Sequence, residues 1–272
     1  YVVSPHTSRV RRVSLSVTYV SNARLRPYRD LCANEEDALA LHGEAMLIGS
    51  ALLSVIALFE IALRNRVHTQ IGVDFGVEDW LTTLPIPVPL HASEENLRSS
   101  ALRQAQQDRY SKLTTQQKRQ LDRAAYPKGL PHTIRPSKLS KKRQQAITVS
   151  EGEIVAHTTI FFWKRFFAPE YEPTLWKRSV KRVFPNKTLD RADVSRRVET
   201  LYRARNRLAH HEPMHGERLE SAIDALEFVR QNMDVRSPSN NGPLCEFTDS
   251  QHRNLLGRKA EFDDAWNRLT KS

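Results

Sequence analysis

Apolar positions recur at helical spacing along most of this chain. The clearest stripe runs through Val194, Val198, Leu201, Arg205 and Leu208, at intervals of four, three, four and three. With Pro213 as its stop, the stripe predicts a helix from about Asp190 to His211. One of its slots holds an arginine. A guanidinium keeps its charge and is rarely buried without a partner, so Arg205 in that slot calls for an explanation in binding or catalysis. Leu219, Ile223, Leu226 and Val229 predict the next helix over Glu217 to Met233. After a Ser-Pro-Ser-Asn-Asn-Gly-Pro linker, a final helix is expected over Asp249 to Leu269, capped by Thr248 or Asp249.

Upstream, Asn34 is an N-cap followed by Glu35, Glu36 and Asp37, where a helix dipole favours acids. It opens a long helix, or a broken pair, reaching about Ile71. The stretch Ala45 to Phe59 is the longest apolar run, broken only by Gly49, Ser50 and Ser54. It falls about four residues short of the usual membrane span and is bracketed by Glu44 and Glu60, so it reads as a core helix. Gly72 to Leu90, with Pro85, Pro87 and Pro89, is an irregular connection.

Leu97, Ala101, Leu102 and Ala105, then Leu113, Leu121 and Ala124, support two polar helices before a loop from Pro127 to Ser140. Ser150 and Glu153 form a capping box. It opens a helix carrying Ile154, Ile160, Phe161, Phe162, Trp163, Phe166 and Phe167 and stopping before Pro169. Another helix is expected over Thr174 to Phe184, with Leu175, Trp176, Val180 and Val183 inward. The first thirty residues alternate enough for a short strand or an extended arm, and no convincing strand follows them. The chain therefore reads as all-α, with roughly seven to nine helices and no solenoid repeat.

Charge changes this picture more than composition does. The 272 residues carry a formal net charge of +11, which points to a polyanionic partner, nucleic acid first and an anionic membrane surface second. Between Asn96 and Ser150, thirteen Lys or Arg face only Asp108 and Asp122, and this excess of eleven equals the net charge of the whole protein. Lys138, Lys141, Lys142 and Arg143 form its densest run. Cys32 and Cys245 have no zinc or disulfide spacing, so a reducing cytoplasm is expected. Val10 to Val20 alternates basic and apolar residues without the continuous apolar core of a signal peptide.

Two motifs compete between Leu201 and His215. His211-Glu212-Pro213-Met214-His215 matches H-E-x-x-H, a zinc signature that needs both histidines on one face of a continuous helix. Pro213 disfavours that helix, so no metal is expected. The other set is Arg205, Asn206 and His210. At about 100° per residue, Asn206 and His210 share a face, whereas Arg205 points about 140° away from His210. The two converge only if Arg205 reaches round, if the helix unwinds near Pro213, or if a second copy supplies the missing half. The helix dipole favours charged His210 while Arg203, Arg205 and Arg207 oppose it, a balance suited to a general acid or base near neutral pH.

Arg205-Asn206-Arg207-Leu208-Ala209-His210 resembles the R-x4-H signature of the HEPN superfamily. The longer string to Pro213 is similar to the Arg-Asn-x-x-x-His-His-Glu-Pro of its Abi-like, abortive-infection branch. Glu60-Ile61-Ala62-Leu63-Arg64-Asn65 looks like that family's earlier Glu-x-x-x-Arg-Asn helix. Phe161-Phe162-Trp163 stands where the family often has Gly-Phe-Trp, and Trp176 with Phe184-Pro185 resembles its Trp and Phe-Pro pair.

The resemblance implies a HEPN-like helical bundle with added helices, paired as a two-fold homodimer, cytoplasmic and not membrane-bound. It divides the chain into a basic N-terminal arm (1–30), an Abi-like domain (31–235) with a basic helical insert (93–148), and a linker with a C-terminal helix (236–272). It further implies an endoribonuclease of a defence or toxin–antitoxin system that needs neither metal nor cofactor, with RNA as substrate and an RNA or protein antitoxin among its partners. His210 or His211 would transfer the proton, Arg205 would hold the phosphate, and Asn206 would orient histidine or substrate. Arg203, Arg207, Lys138, Lys141, Lys142 and Arg143 would contact RNA, with Glu60, Arg64 and Asn65 as a second, more structural set. The alternative is a non-catalytic module that binds or guards a structured RNA.

Overall fold

The computed structural model describes residues 19–271. Residues 1–18 and 272 lie outside the described residues, and with them Arg9, Arg11, Arg12 and most of the segment read as a strand or arm. The regular elements are helices: α1 (Asn22–Arg29), α2 (Glu35–Phe75), α3 (Ala92–Ser111), α4 (Thr115–Gln120), α5 (Asp122–Ala125), α6 (Pro136–Gln145), α7 (Glu151–His157), α8 (Ile160–Arg165), α9 (Arg191–Ala209), α10 (Glu217–Asn232) and α11 (Pro243–Leu269). Short 3-10 turns (Pro169–Tyr171 and Val180–Val183) and a π turn (Glu172–Trp176) fill the stretch between α8 and α9. Extended pairing among the described residues is limited to an isolated bridge between Cys32 and Thr270. The fold is all-α.

The chain divides into two compact units. One runs up to Ile61 and adds Pro185–Leu189 and the chain from Arg196 onwards; the other takes Ala62–Phe184 and Asp190–Ser195. In the first unit, Asn34 caps α2 as expected, its side-chain oxygen accepting the Asp37 N–H at 2.9 Å. Ile48, Leu52, Val55, Ile56 and Phe59 along α2 are fully buried, while Leu47, Ser54, Ala57 and Ile61 face outward. By length and composition alone α2 is apolar enough to cross a membrane.

On α9, Val194, Val198, Leu201 and Leu208 are buried, but the inward position of the last turns is Ala204 rather than Arg205, whose side chain is 39% exposed. A methyl fits that position without the desolvation that a guanidinium would suffer. α9 approaches α2 closely at Gly49, where a Cβ would lie 3.0 Å from Cδ2 of Leu208. The segment Asn22–Arg29, expected as strand or arm, is helical, with the Ser21 side chain accepting the Arg24 N–H. The last helix begins at Pro243, earlier than its apolar pattern implies, because proline suits the first helical turn. Thr248, expected as its cap, is buried inside it, donating to the Leu244 carbonyl at 2.7 Å and accepting from Arg230 Nε at 2.9 Å.

In the second unit, α3 packs against α6 and α7. The capping box of α7 is formed: Ser150 Oγ accepts the Glu153 N–H at 3.3 Å, and Glu153 accepts the Ser150 N–H at 2.8 Å. The apolar helix expected beyond it breaks at extended Thr158 and Thr159. There the Thr158 hydroxyl donates to the Val155 carbonyl and accepts from Trp163 Nε1, both at 2.7 Å, so a side chain satisfies what another helical turn would have. Trp80, Phe162, Trp163, Phe166 and Tyr171 are all buried and meet mostly edge to face.

The helix expected over Thr174 to Phe184 is not formed either. Leu175, Trp176, Val180 and Val183 are buried as the pattern requires, but Pro173 and the non-helical backbone of Ser179 split the segment into the π turn and a 3-10 turn. Conversely, Lys138 to Arg143 are helical, because Pro136 opens α6 inside the stretch read as a loop.

Glu94 on α3 is fully buried. Burial alone would raise its carboxyl, but hydrogen bonds from Arg165, Tyr171 and Ser93 outweigh that and hold it below the ordinary 4.5. Replacing it by alanine strands the Arg165 guanidinium and the Tyr171 hydroxyl, so Glu94→Ala is expected to cost about 3 kcal/mol in denaturant unfolding. Because the folded value is depressed, this contribution is present at neutral pH and is lost as pH falls below 4.5 through the folded value. The wild type should therefore destabilise more steeply than Glu94→Ala in that window.

Candidate functional site

The end of α9 is built as a helix cap. Glu212 N–H reaches back to the Arg207 carbonyl at 2.9 Å and His211 N–H to the Leu208 carbonyl at 3.0 Å, the paired bonds of a Schellman motif. His211 occupies its left-handed position, with φ of 55°. That position favours glycine, and histidine is among the side chains that tolerate it better than most. Where such caps often close with an apolar contact, this one closes with an ion pair, Arg207 Nη1 to Glu212 Oε2 at 2.9 Å. Arg24 of α1 completes it by donating to the carbonyls of His210 and His211. Pro213 then prevents another turn. Arg207, His211, Glu212 and Pro213 thus each have a local structural task.

The residues of the R-x4-H set fan out from this cap. Arg205 Nε lies 3.5 Å from Oε2 of Glu60 on α2, and Glu60 is the more buried partner, 13% exposed. Asn206 and His210 keep the register that puts them on one face, since the His210 N–H bonds to the Asn206 carbonyl at 3.1 Å. His210 is exposed, and among the described residues its imidazole makes no hydrogen bond. Arg203 pairs with Glu199 at 2.8 Å and is 74% exposed.

Arg203 and Arg207 project about 160° from Arg205 at helical period. With Met214 and Arg218 they line a shallow groove of about 290 Å³ between α9 and α10. Because the helical register holds as far as the His210 N–H, helix geometry sets Arg205 and His210 about 140° apart within one chain. Arg64 and Asn65 lie one turn beyond Glu60 on α2, in its continuation into the second unit.

His215, the second histidine of the H-E-x-x-H string, shares no helix with His211, because α9 ends at Ala209. It sits between Tyr28 and Trp266, with ring centroids 5.8 and 5.4 Å away. Burial, and after it the charge of Arg218, lowers its pKa. His42 packs edge-on against Tyr28 at 5.5 Å and is lowered in the same way, by burial and then by Arg24. Burial also pushes the Tyr28 hydroxyl up to about 12. These groups form an aromatic cluster under the cap. Among the described residues no group of three or more His, Cys, Asp or Glu is placed to hold a metal.

In the second unit, Lys138, Lys141 and Lys142 are exposed on α6. Arg143, grouped with them on sequence, is turned away to Asp122, making a two-pronged contact at 2.7 and 2.8 Å with its side chain 15% exposed. That hydrogen-bonded pair holds the Asp122 carboxyl below its usual range, so the charge of Arg143 is already matched. Sequence reasoning missed Arg24, whose role depends on a contact 186 and 187 residues away.

The left-handed backbone at His211 allows the cap to be tested apart from any chemistry. His211→Gly should raise stability by about 1 kcal/mol by relieving that strain. Arg24→Ala should lower it by about 1 to 2 kcal/mol by uncapping two carbonyls. Thermal unfolding of the two variants checks both signs. Compared with known proteins, the chain matches no family model, no curated protein and no solved structure.

Proposed function

We propose that this protein is a metal-independent endoribonuclease of the HEPN type, close to the Abi-like branch, acting in the cytoplasm within a defence or toxin–antitoxin system. The observation that carries the reading is His210: an exposed imidazole with no internal hydrogen bond among the described residues, held at a rigid helix cap one turn from Asn206. A proton-transfer group has to be reachable and uncommitted, and its backbone has to be fixed. His211 carries the strained backbone of the cap, so His210 is the better proton carrier of the two.

In the proposed reaction His210 takes the proton of a ribose 2′-hydroxyl as that oxygen attacks the adjacent phosphorus. The bond from phosphorus to the 5′ oxygen breaks, that oxygen takes a proton from water, His210 later returns its proton to solvent, and a cyclic 2′,3′-phosphate remains. Arg205 offsets the charge gathering on the phosphate oxygens, and Asn206 orients the histidine or the substrate. Since Arg205 and His210 diverge within one chain, the reading includes a two-fold homodimer in which a second copy completes the site. Arg203, Arg207 and the α6 lysines would hold RNA, while Glu60 would position Arg205. Arg64 and Asn65 would support that helix.

In purified protein His210→Ala is expected to abolish RNA cleavage while leaving RNA affinity within about twofold. His211→Gly is expected to keep most of the activity. Undiminished cleavage by His210→Ala overturns the assignment.

One observation favours a second reading, a non-catalytic RNA-binding module: Arg207, His211, Glu212 and Pro213 are each accounted for by the cap without any reaction. On that reading His210→Ala is silent in cells, whereas charge reversal at Lys141 and Lys142 removes the phenotype.

A further inference from the structure

In the second unit α3 and α6 enclose a cleft of about 560 Å³. The α3 wall presents Ser100, Arg103, Gln104 and Gln107, and the α6 wall presents Ser137, Ser140, Lys141 and Gln144. Both sets follow the spacing i, i+3, i+4, i+7, so each wall is a single helical stripe made of hydroxyls, amides and one cation. Gln106 and Gln145 also line the cleft, and contacts beside the two stripes tie its walls together. Gln106 donates to the carbonyls of Gln145 at 3.4 Å and Ile147 at 3.0 Å, and Arg143 ties α6 to Asp122. Within the walls, Arg103 is braced by Ser100 at 2.8 Å, Gln104 donates to Asp108 at 2.8 Å and Gln144 to Ser140 at 3.3 Å, which leaves the Gln144 carbonyl oxygen to accept, while the Gln107 and Lys141 side chains make no hydrogen bond among the described residues.

The chemistry of these walls excludes several occupants. No apolar side chain lines the cleft to hold an apolar ligand. No carboxylate, imidazole or thiol lines it to hold a metal, and no aromatic ring offers a platform for stacked, unpaired bases. What remains is a ligand rich in hydroxyls with an anion along each side. The shallow minor groove of an RNA helix has that surface, a row of 2′-hydroxyls between two lines of phosphates. A 2′-hydroxyl both donates and accepts, and so does a glutamine amide.

We infer that the α3–α6 cleft docks the double-helical part of a structured RNA, with Gln107 and Gln144 reading ribose 2′-hydroxyls and Arg103 and Lys141 holding phosphates on either side. The inference rests on the reading that the ligand is RNA, and names the kind: a base-paired stem, recognised by its sugar and shape rather than its sequence.

The test uses the full chain carrying His210→Ala, so that RNA survives, and measures fluorescence anisotropy with three probes: an RNA hairpin, a DNA hairpin of the same sequence, and a single-stranded RNA of equal length. The RNA hairpin is expected to bind about tenfold tighter than either of the others. Adding Gln107→Ala and Gln144→Ala, the first exposed and the second half-buried, should weaken the RNA hairpin about tenfold and leave the DNA hairpin unchanged, because two hydrogen bonds to hydroxyls are lost. Adding Arg103→Gln and Lys141→Gln instead should reduce the slope of log affinity against log salt by about two. Equal binding of RNA and DNA hairpins, or an unchanged preference in the glutamine variant, overturns the inference and leaves the RNA reading standing. No binding of any RNA overturns both.

Discussion

A helix ends with carbonyl oxygens that have no partner inside it, and the C-terminus of α9 resolves that constraint with three separate devices. A left-handed histidine turns the chain so that two amides fold back, an arginine of α1 binds the carbonyls of His210 and His211, and an ion pair from Arg207 to Glu212 closes the loop. The position of His210, the proposed proton carrier, follows from the cap. His210 is the last residue whose N–H keeps the helical register, so its direction is set by α9, and Asn206 stays beneath it. Arg205 is set by a different contact, Glu60 on α2, the helix that α9 also approaches closely at Gly49.

The arginine in an apolar slot has a physical answer. It is not buried: Ala204 takes the inward position, and Arg205 lies at the edge of the stripe, beside a largely buried carboxylate. A stripe read at helical spacing spans more than 100° of the helix, and its margin is wide enough to admit a side chain with an apolar stem and a charged tip. Arg205 is thus held by an ion pair while its side chain stays partly exposed.

Much of the helical architecture was legible because it rests on local rules. Asn34, the Ser150 capping box and Pro213 sit where caps and stops were expected, and the buried faces of α2 and α9 follow their apolar periods. What escaped depends on groups distant in sequence or on side chains substituting for backbone. The break at Thr158 is stabilised by a bond from Trp163, and Thr248, which looks like a cap, is a buried acceptor for Arg230. The stretch after Pro169 buries the expected residues in turns that a 3.6-residue period does not describe. At the candidate site the shared face of Asn206 and His210 was readable from spacing alone. The Arg24 clamp and the Arg143–Asp122 pair were not, since ion pairing between segments leaves no periodic trace. The polar stripes of α3 and α6 were present in the sequence, but a hydrophilic stripe usually means only a solvated face; two of them lining one cleft are visible only in three dimensions.

On this account the two basic regions divide their labour. On the proposed reading, the cap of α9 would supply the proton carrier, and the excess positive charge of residues 96–150 would hold the RNA without reacting with it. The central claim is that RNA is cut by its own 2′-hydroxyl under the control of His210. Mass spectrometry of the ends left on a short RNA after incubation with the protein in excess chelator tests it most directly. The account predicts a cyclic 2′,3′-phosphate on one fragment and a 5′-hydroxyl on the other. Fragments ending in a 3′-hydroxyl and a 5′-phosphate would contradict it, because those ends require attack by water rather than by the ribose.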